Sequence, residues 1–180
     1  MAAINYPIRT ALLSDQDAIT ALIKKSVRVL ALSDYSSEQI EGALKSAWGL
    51  DTQLIRDQSY FVVEDNNNVI ASGGWSFRKT LFGNNNESGR DALKLDPLHD
   101  YAKIRAFFVD PDYSRQGIGS LLMTHCQQEA IDKGFSKLEL MSTLPGKHLY
   151  ECHGFKGEEV VPYKINESLS IDFVPMTKQL

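Results

Sequence analysis

Phe107 to Leu122 read "FFVDPDYSRQGIGSLL": an apolar run, an Asp-Pro break, a Gly-x-Gly pair and a second apolar run of helical character. Between a strand and a helix, residues Ser114 to Ser120 would hold several backbone N–H groups free of intrahelical acceptors, at the positive end of the helix dipole. That is the chemistry of anion binding. Glycine at 117 and 119 lets a phosphate approach the main chain, and Arg115 can add a charge-assisted contact.

Three phosphate-binding arrangements compete for this segment, beside a plain reading as loop punctuation. A triphosphate loop requires Gly-x-x-x-x-Gly-Lys-Ser/Thr, which the chain lacks. A dinucleotide fold requires Gly-x-Gly-x-x-Gly directly after its strand, but Leu122 occupies the third glycine position and Asp110 to Gln116 intervene after Val109. Glu139, about twenty residues on, stands where a ribose contact would be, so spacing alone leaves that alternative open.

Other groups are harder to assign. Glu139 alternates with Leu138 and Leu140 and faces either solvent or a cleft; His99 and His153 are further candidate bases. Trp75, after two glycines in "SGGWSF", suits either an acceptor pocket or the core. Cys126 and Cys152 are too few for a disulfide scaffold, and Cys152 is expected to be a buried thiol. Four dispersed histidines have no metal-ligand spacing.

The elements that must position these residues follow from the pattern. A strand near Ile8 to Leu12 leads to a helix capped by Ser14 or Asp15, with Ile19, Leu22, Ile23 and Val27 on one face. "SSEQIEGALKSAW" predicts a second helix capped by Ser36 or Ser37. Tyr60 to Glu64 and Val69 to Phe77 form a hairpin across an Asn-rich turn. "AKIRAFFV" is a fourth strand, "GSLLMTHCQQEAIDKG" a helix closed by Gly134, "FSKLELMST" a fifth strand and "GKHLYECHG" a short helix, before two extended runs. Residues 78–102 form a long insertion between the third and fourth strands, expected beside the cleft as a lid.

At 180 residues, 43% hydrophobic and 23% charged, the chain is expected to be one domain over 1–180. A net charge of −4 with scattered Lys and Arg gives no footprint for nucleic acid. No apolar run is long enough for a membrane, and a cytoplasmic protein is expected.

The order of elements, the string Ser114-Arg115-Gln116-Gly117-Ile118-Gly119 after "RAFFVDPDY", then "KLELMST" and "LYECHGF", resemble the GNAT superfamily of acyl-CoA-dependent N-acetyltransferases. The topology matches over nearly the whole chain, and the motifs are dense from Ile104 to Phe155. Ser114 stands where the family usually has Gln or Arg, and Thr143 replaces a common asparagine.

The resemblance implies an α/β fold: a mixed, mostly antiparallel sheet of about seven strands with flanking helices, its central strands splayed. It implies acetyl-CoA as co-substrate and no metal, and an acetyl group passed to a primary amine by direct attack in a ternary complex. Cofactor contacts would fall on the main chain of Phe108 and Val109, on Arg115, Gln116, Gly117, Ile118, Gly119 and Ser120, and on Thr143. The Val109 N–H would stabilise the oxyanion, Tyr150 would be the general acid, and Trp75 is a candidate for the acceptor pocket. A small-molecule amine is the expected acceptor and a protein amine the second class; dimers are common in such families. The alternative is a non-catalytic acyl-CoA-binding or sensing module.

Overall fold

The computed structural model describes residues 5–86 and 92–180. Its strands are β1 (Ile8–Thr10), β2 (Tyr60–Asp65), β3 (Asn68–Ser76), β4 (Ala102–Val109), β5 (Lys137–Thr143), β6 (Val161–Lys164) and β7 (Ser170–Gln179). They form one sheet in the order β1-β2-β3-β4-β5-β7-β6. Every neighbouring pair is antiparallel except β4 and β5. The helices are α1 (Gln16–Leu30), α2 (Ser37–Ala43), α3 (Thr52–Arg56), α4 (Ile118–Asp132) and α5 (Lys147–Cys152). The expected mixed seven-stranded architecture is therefore the observed one.

Strand alternation sends side chains to two separate cores. Tyr60 and Val62 of β2 pack on one face with Ile19, Ile23 and Val27 of α1 and with Ile40 of α2. Phe61 and Val63 pack on the other, with Leu122, Met123 and Cys126 of α4.

The parallel pair is the anomaly of the sheet. β4 and β5 are in register only at Ala102 with Leu138 and Lys103 with Glu139, after which the strands part. At that closed end the Lys103 ammonium is joined to the Glu139 carboxylate.

A bulge bends β4 just where it leaves its neighbour. Ala106 has a φ of 55°, and the register with β3 shifts between Ser72 and Gly74. Arg105 and Ala106 consequently follow one another on the face of the α1 core, while Phe107 turns to the opposite one. Two features of β2 and β3 hold this irregularity. The fully buried Tyr60 hydroxyl donates to the Ala106 carbonyl at 2.9 Å, and it lies 3.0 Å from Ser72 Oγ. Gly73 must be glycine, because a Cβ there would meet the Phe107 ring at 2.5 Å.

One helix start is as expected and two are not. Ser36 caps α2, accepting from the Gln39 N–H at 3.1 Å. Asp15 does not cap α1, because its carboxylate accepts from the Arg9 guanidinium at 2.8 Å and 2.9 Å and from the Leu12 N–H at 2.7 Å. Two hydrogen bonds to one guanidinium outweigh a single cap bond. α3 was not expected: Asp51 caps it by accepting from the Gln53 N–H at 3.0 Å.

Removing the Tyr60 hydroxyl in Tyr60→Phe leaves the Ala106 carbonyl without its donor. The expected loss of unfolding free energy is about 1–3 kcal/mol, read as a lower denaturant midpoint at unchanged slope.

Candidate active site

The parting of β4 and β5 opens a cavity of about 150 Å³ between the two cores. From the α1 side it is walled by Trp48, Phe82 and Phe173, and from the α4 side by Gly119, Leu149 and Tyr150. Between them stand β4 from Ile104 to Val109 and β5 at Leu140, Met141 and Thr143.

The direction of the β4 main chain follows from one hydrogen bond. The Asp110 N–H donates to the Ile70 carbonyl at 2.8 Å, which makes Ile70 and Asp110 a bonded pair. Because bonded and non-bonded pairs alternate, Phe108 opposite Ser72 also spends its N–H and C=O on β3, and Val109 opposite Ala71 turns both toward the gap. Of the two expected main-chain contacts, Val109 alone faces the opening by this reckoning. Phe108 lines the cavity but commits its amide to the sheet.

Past Val109 the chain makes a short 3₁₀ turn over Pro111–Tyr113 and enters α4. Side chains hold this loop from outside. Lys25 Nζ on α1 donates to both Asp110 oxygens at 2.7 Å and 2.8 Å and to Asp112 at 2.8 Å. The Tyr113 hydroxyl donates to Asp65 at 2.8 Å, and the Tyr6 hydroxyl donates to the Gln116 side-chain oxygen at 3.1 Å. The main chain is thereby left open. Arg115 and Gly117 have φ of 64° and 82°, and the first α4 donor with an acceptor is the Leu121 N–H, to the Gly117 carbonyl at 3.0 Å. A Cβ on Gly117 would meet nothing within 4 Å, so the space before the helix start is clear. Gly119 is tighter, since a Cβ there would lie 2.9 Å from Leu149 Cδ2. Ile118 is buried, whereas Ser120 Oγ is 2.9 Å from His153 Nε2.

Thr143 Oγ1 accepts from the Gly146 N–H at 3.1 Å, closing the turn that carries α5. Tyr150, on α5, is half-buried between Phe107 and Phe155, with ring centroids at 6.4 Å and 6.0 Å. Burial pushes its phenol well above the ordinary tyrosine range, so it remains a proton donor. No group among the described residues hydrogen-bonds its hydroxyl.

Several other candidates sit elsewhere. Trp75 is 1% exposed, edge-on to Phe77 at 5.8 Å and Phe135 at 5.9 Å in the α4 core, and is not among the residues lining the cavity. Glu139 is committed to Lys103, and His99 lies on the surface with its Nδ1 2.6 Å from Asp96. His153 is held below the ordinary histidine range by burial and by Lys178. None of the three lines the cavity; among the described residues that do, only Arg105 and Tyr150 are titratable. Cys152 is exposed rather than buried, its Sγ 3.6 Å from His148 Nε2, because α5 turns that face outward; Cys126 is the buried thiol. Among the described residues no cluster of His, Cys, Asp or Glu could hold a metal, and no helix is long and apolar enough to cross a membrane.

Arg105 is the residue that periodicity did not single out. It is 3% exposed, and it donates to Asp51 at 3.2 Å and to the Gly83 and Thr80 carbonyls at 2.9 Å and 3.3 Å. Asn84 adds bonds from its side-chain amide to the Trp48 and Leu44 carbonyls at 2.8 Å and 3.2 Å. The first part of the 78–102 segment is thus fastened over the cavity already, with Leu81, Phe82 and Gly83 in its wall. Residues 87–91 of that segment lie outside the described residues.

The family model described as Acetyltransferase (GNAT) family matches residues 25–155. The chain belongs to that family, whose members are acyltransferases. Among solved structures, a GCN5-related N-acetyltransferase from Rhodopseudomonas palustris superposes at TM-score 0.73 and 18% identity, over 100% of this chain and 99% of that one. The PaiA N-acetyltransferase from Thermoplasma acidophilum, in complex with coenzyme A, does so at 0.66 and 15%, over 98% and 100%. A GNAT acetyltransferase from Brucella melitensis, in complex with acetyl-CoA, does so at 0.54 and 16%, over 84% and 83%. No curated protein sequence matches the chain.

Replacing Arg105 by Leu strips the buried Asp51 carboxylate of its cationic partner. A loss of about 3 kcal/mol is expected, seen as a melting temperature lower by on the order of 10 °C.

Proposed function

We propose that the protein transfers an acetyl group from acetyl-CoA to a primary amine by direct attack, in a ternary complex assembled across the gap between β4 and β5. The observation that supports this reading is one cavity lined by Gly119 in the first turn of α4, by Val109 and by Tyr150, with the clear space at Gly117 just before that turn. The residues fit the donor. A diphosphate suits the uncovered N–H groups of Arg115 to Ser120, with the Arg115 and Gln116 side chains at the rim and Ile118 anchoring the helix start from within. Thr143 lines the gap where a pantetheine arm would run.

Acetyl-CoA would supply the acetyl group as a thioester. The Val109 N–H is the donor aimed at the carbonyl oxygen as charge develops on it. The amine nitrogen forms the C–N bond, the C–S bond breaks, and the departing thiolate takes the Tyr150 proton. The proton lost by the nitrogen returns the phenol to its starting form. With no carboxylate or imidazole in the lining among the described residues, the amine arrives as the free base.

Thiol release from acetyl-CoA tests these roles. Tyr150→Phe should lower kcat by about 10²–10³-fold with coenzyme A affinity unchanged. An unchanged kcat would remove Tyr150 from the reaction. Gly117→Ala, whose Cβ enters the clear space before α4, should cost about 1 kcal/mol of stability and weaken coenzyme A binding about tenfold or more. The acid-side limb of kcat/KM should follow the pKa of the amine supplied, moving when the amine is changed. A limb fixed near a histidine or carboxylate value would mean that the protein supplies a base.

A further inference from the structure

We infer that the acceptor is a monoamine with a compact apolar body, aryl or branched alkyl, and that polyamines and aminosugars are rejected. This rests on the acetyl-transfer reading and specifies its second substrate.

The α1-side wall of the cavity is aromatic. Phe82 packs edge-on to Tyr163 at 5.3 Å and tilted to Phe173 at 5.7 Å, and Trp48 stands 6.5 Å from Phe173 and 5.5 Å from Tyr35. These rings brace one another, so the wall is a preset apolar surface. At about 150 Å³ the cavity is well below the ~300 Å³ at which drug-sized clefts begin, and the acetyl donor must share it. The part of the acceptor held within the gap is therefore small.

Charge narrows the class further. Among the described residues the one cation in the lining, Arg105, is already matched to Asp51, and no carboxylate faces the space. A second cavity of about 310 Å³ adjoins the first through Trp48 and Gly49; among the described residues its lining is neutral apart from Lys24, with Gln16, Thr20 and Asn84 to Asn86 as its polar groups. A second ammonium group on the acceptor would meet apolar rings in the first cavity and, in the second, neutral side chains beside a cation, with no carboxylate among the described residues to match it. An unmatched charge in such surroundings is costly, whereas an uncharged body gains by covering the rings.

The test uses the full chain with saturating acetyl-CoA and reads thiol release with benzylamine and 3-methylbutylamine against spermidine and kanamycin. The monoamines should show kcat/KM higher by about 30-fold or more. Leu81→Glu, which brings a carboxylate to the half-buried rim, should narrow or reverse that preference. Equal or better use of spermidine or kanamycin by the unmodified chain, or transfer to neither class while coenzyme A binds, would overturn the assignment. A parallel coenzyme A titration separates the two failures, since loss of coenzyme A binding would remove the acetyl-transfer reading itself.

Discussion

The structure turns on a sheet left unfinished between its two central strands. β4 and β5 pair over Ala102–Lys103 and Leu138–Glu139 and then diverge. Strand main-chain groups deprived of a neighbour are costly to bury, so a gap of this kind persists only where the surroundings oppose closure. The opposition is visible at three places. The ion pair of Lys103 with Glu139 fixes the closed end, the bulge at Ala106 swings β4 away, and the Tyr60 hydroxyl takes up the carbonyl that the bulge frees. Gly73 completes the set by yielding its side-chain space to the Phe107 ring.

The same opening brings the helix start into play. A helix N-terminus is common, but here it stands at the mouth of a gap toward which the Val109 main chain turns, and its loop is anchored by side chains from α1 and β2. Lys25, Asp65 and Tyr6 hold the loop without spending its N–H groups. Rigid support from outside and bare main chain inside are two sides of one arrangement.

Much of this was legible in the chain. Gly117 and Gly119 mark the helix start because the left-handed backbone and close approach there suit glycine, and Tyr150 to Phe155 follow at the family spacing. The rest depends on contacts distant in sequence. The bulge uses Ala106, a residue whose type carries no signal for a positive φ, so the commitment of the Phe108 amide to β3 could not be read. Arg105 resembles an ordinary polar position in a strand until Asp51, 54 residues away, is brought beside it. α3 spans five residues, too few to show a helical period. For Trp75, alternation fixes that successive residues take opposite faces, but not which face borders the cavity.

The cavity has a lining from each of the two cores, and the sheet acts as a wall with a window where β4 and β5 part. Groups on the α1 side and on the α4 side therefore come within reach of one another only inside the thickness of the sheet. Contact across such a wall depends on the window being held open, which is what the bulge at Ala106 and the Tyr60 hydroxyl do.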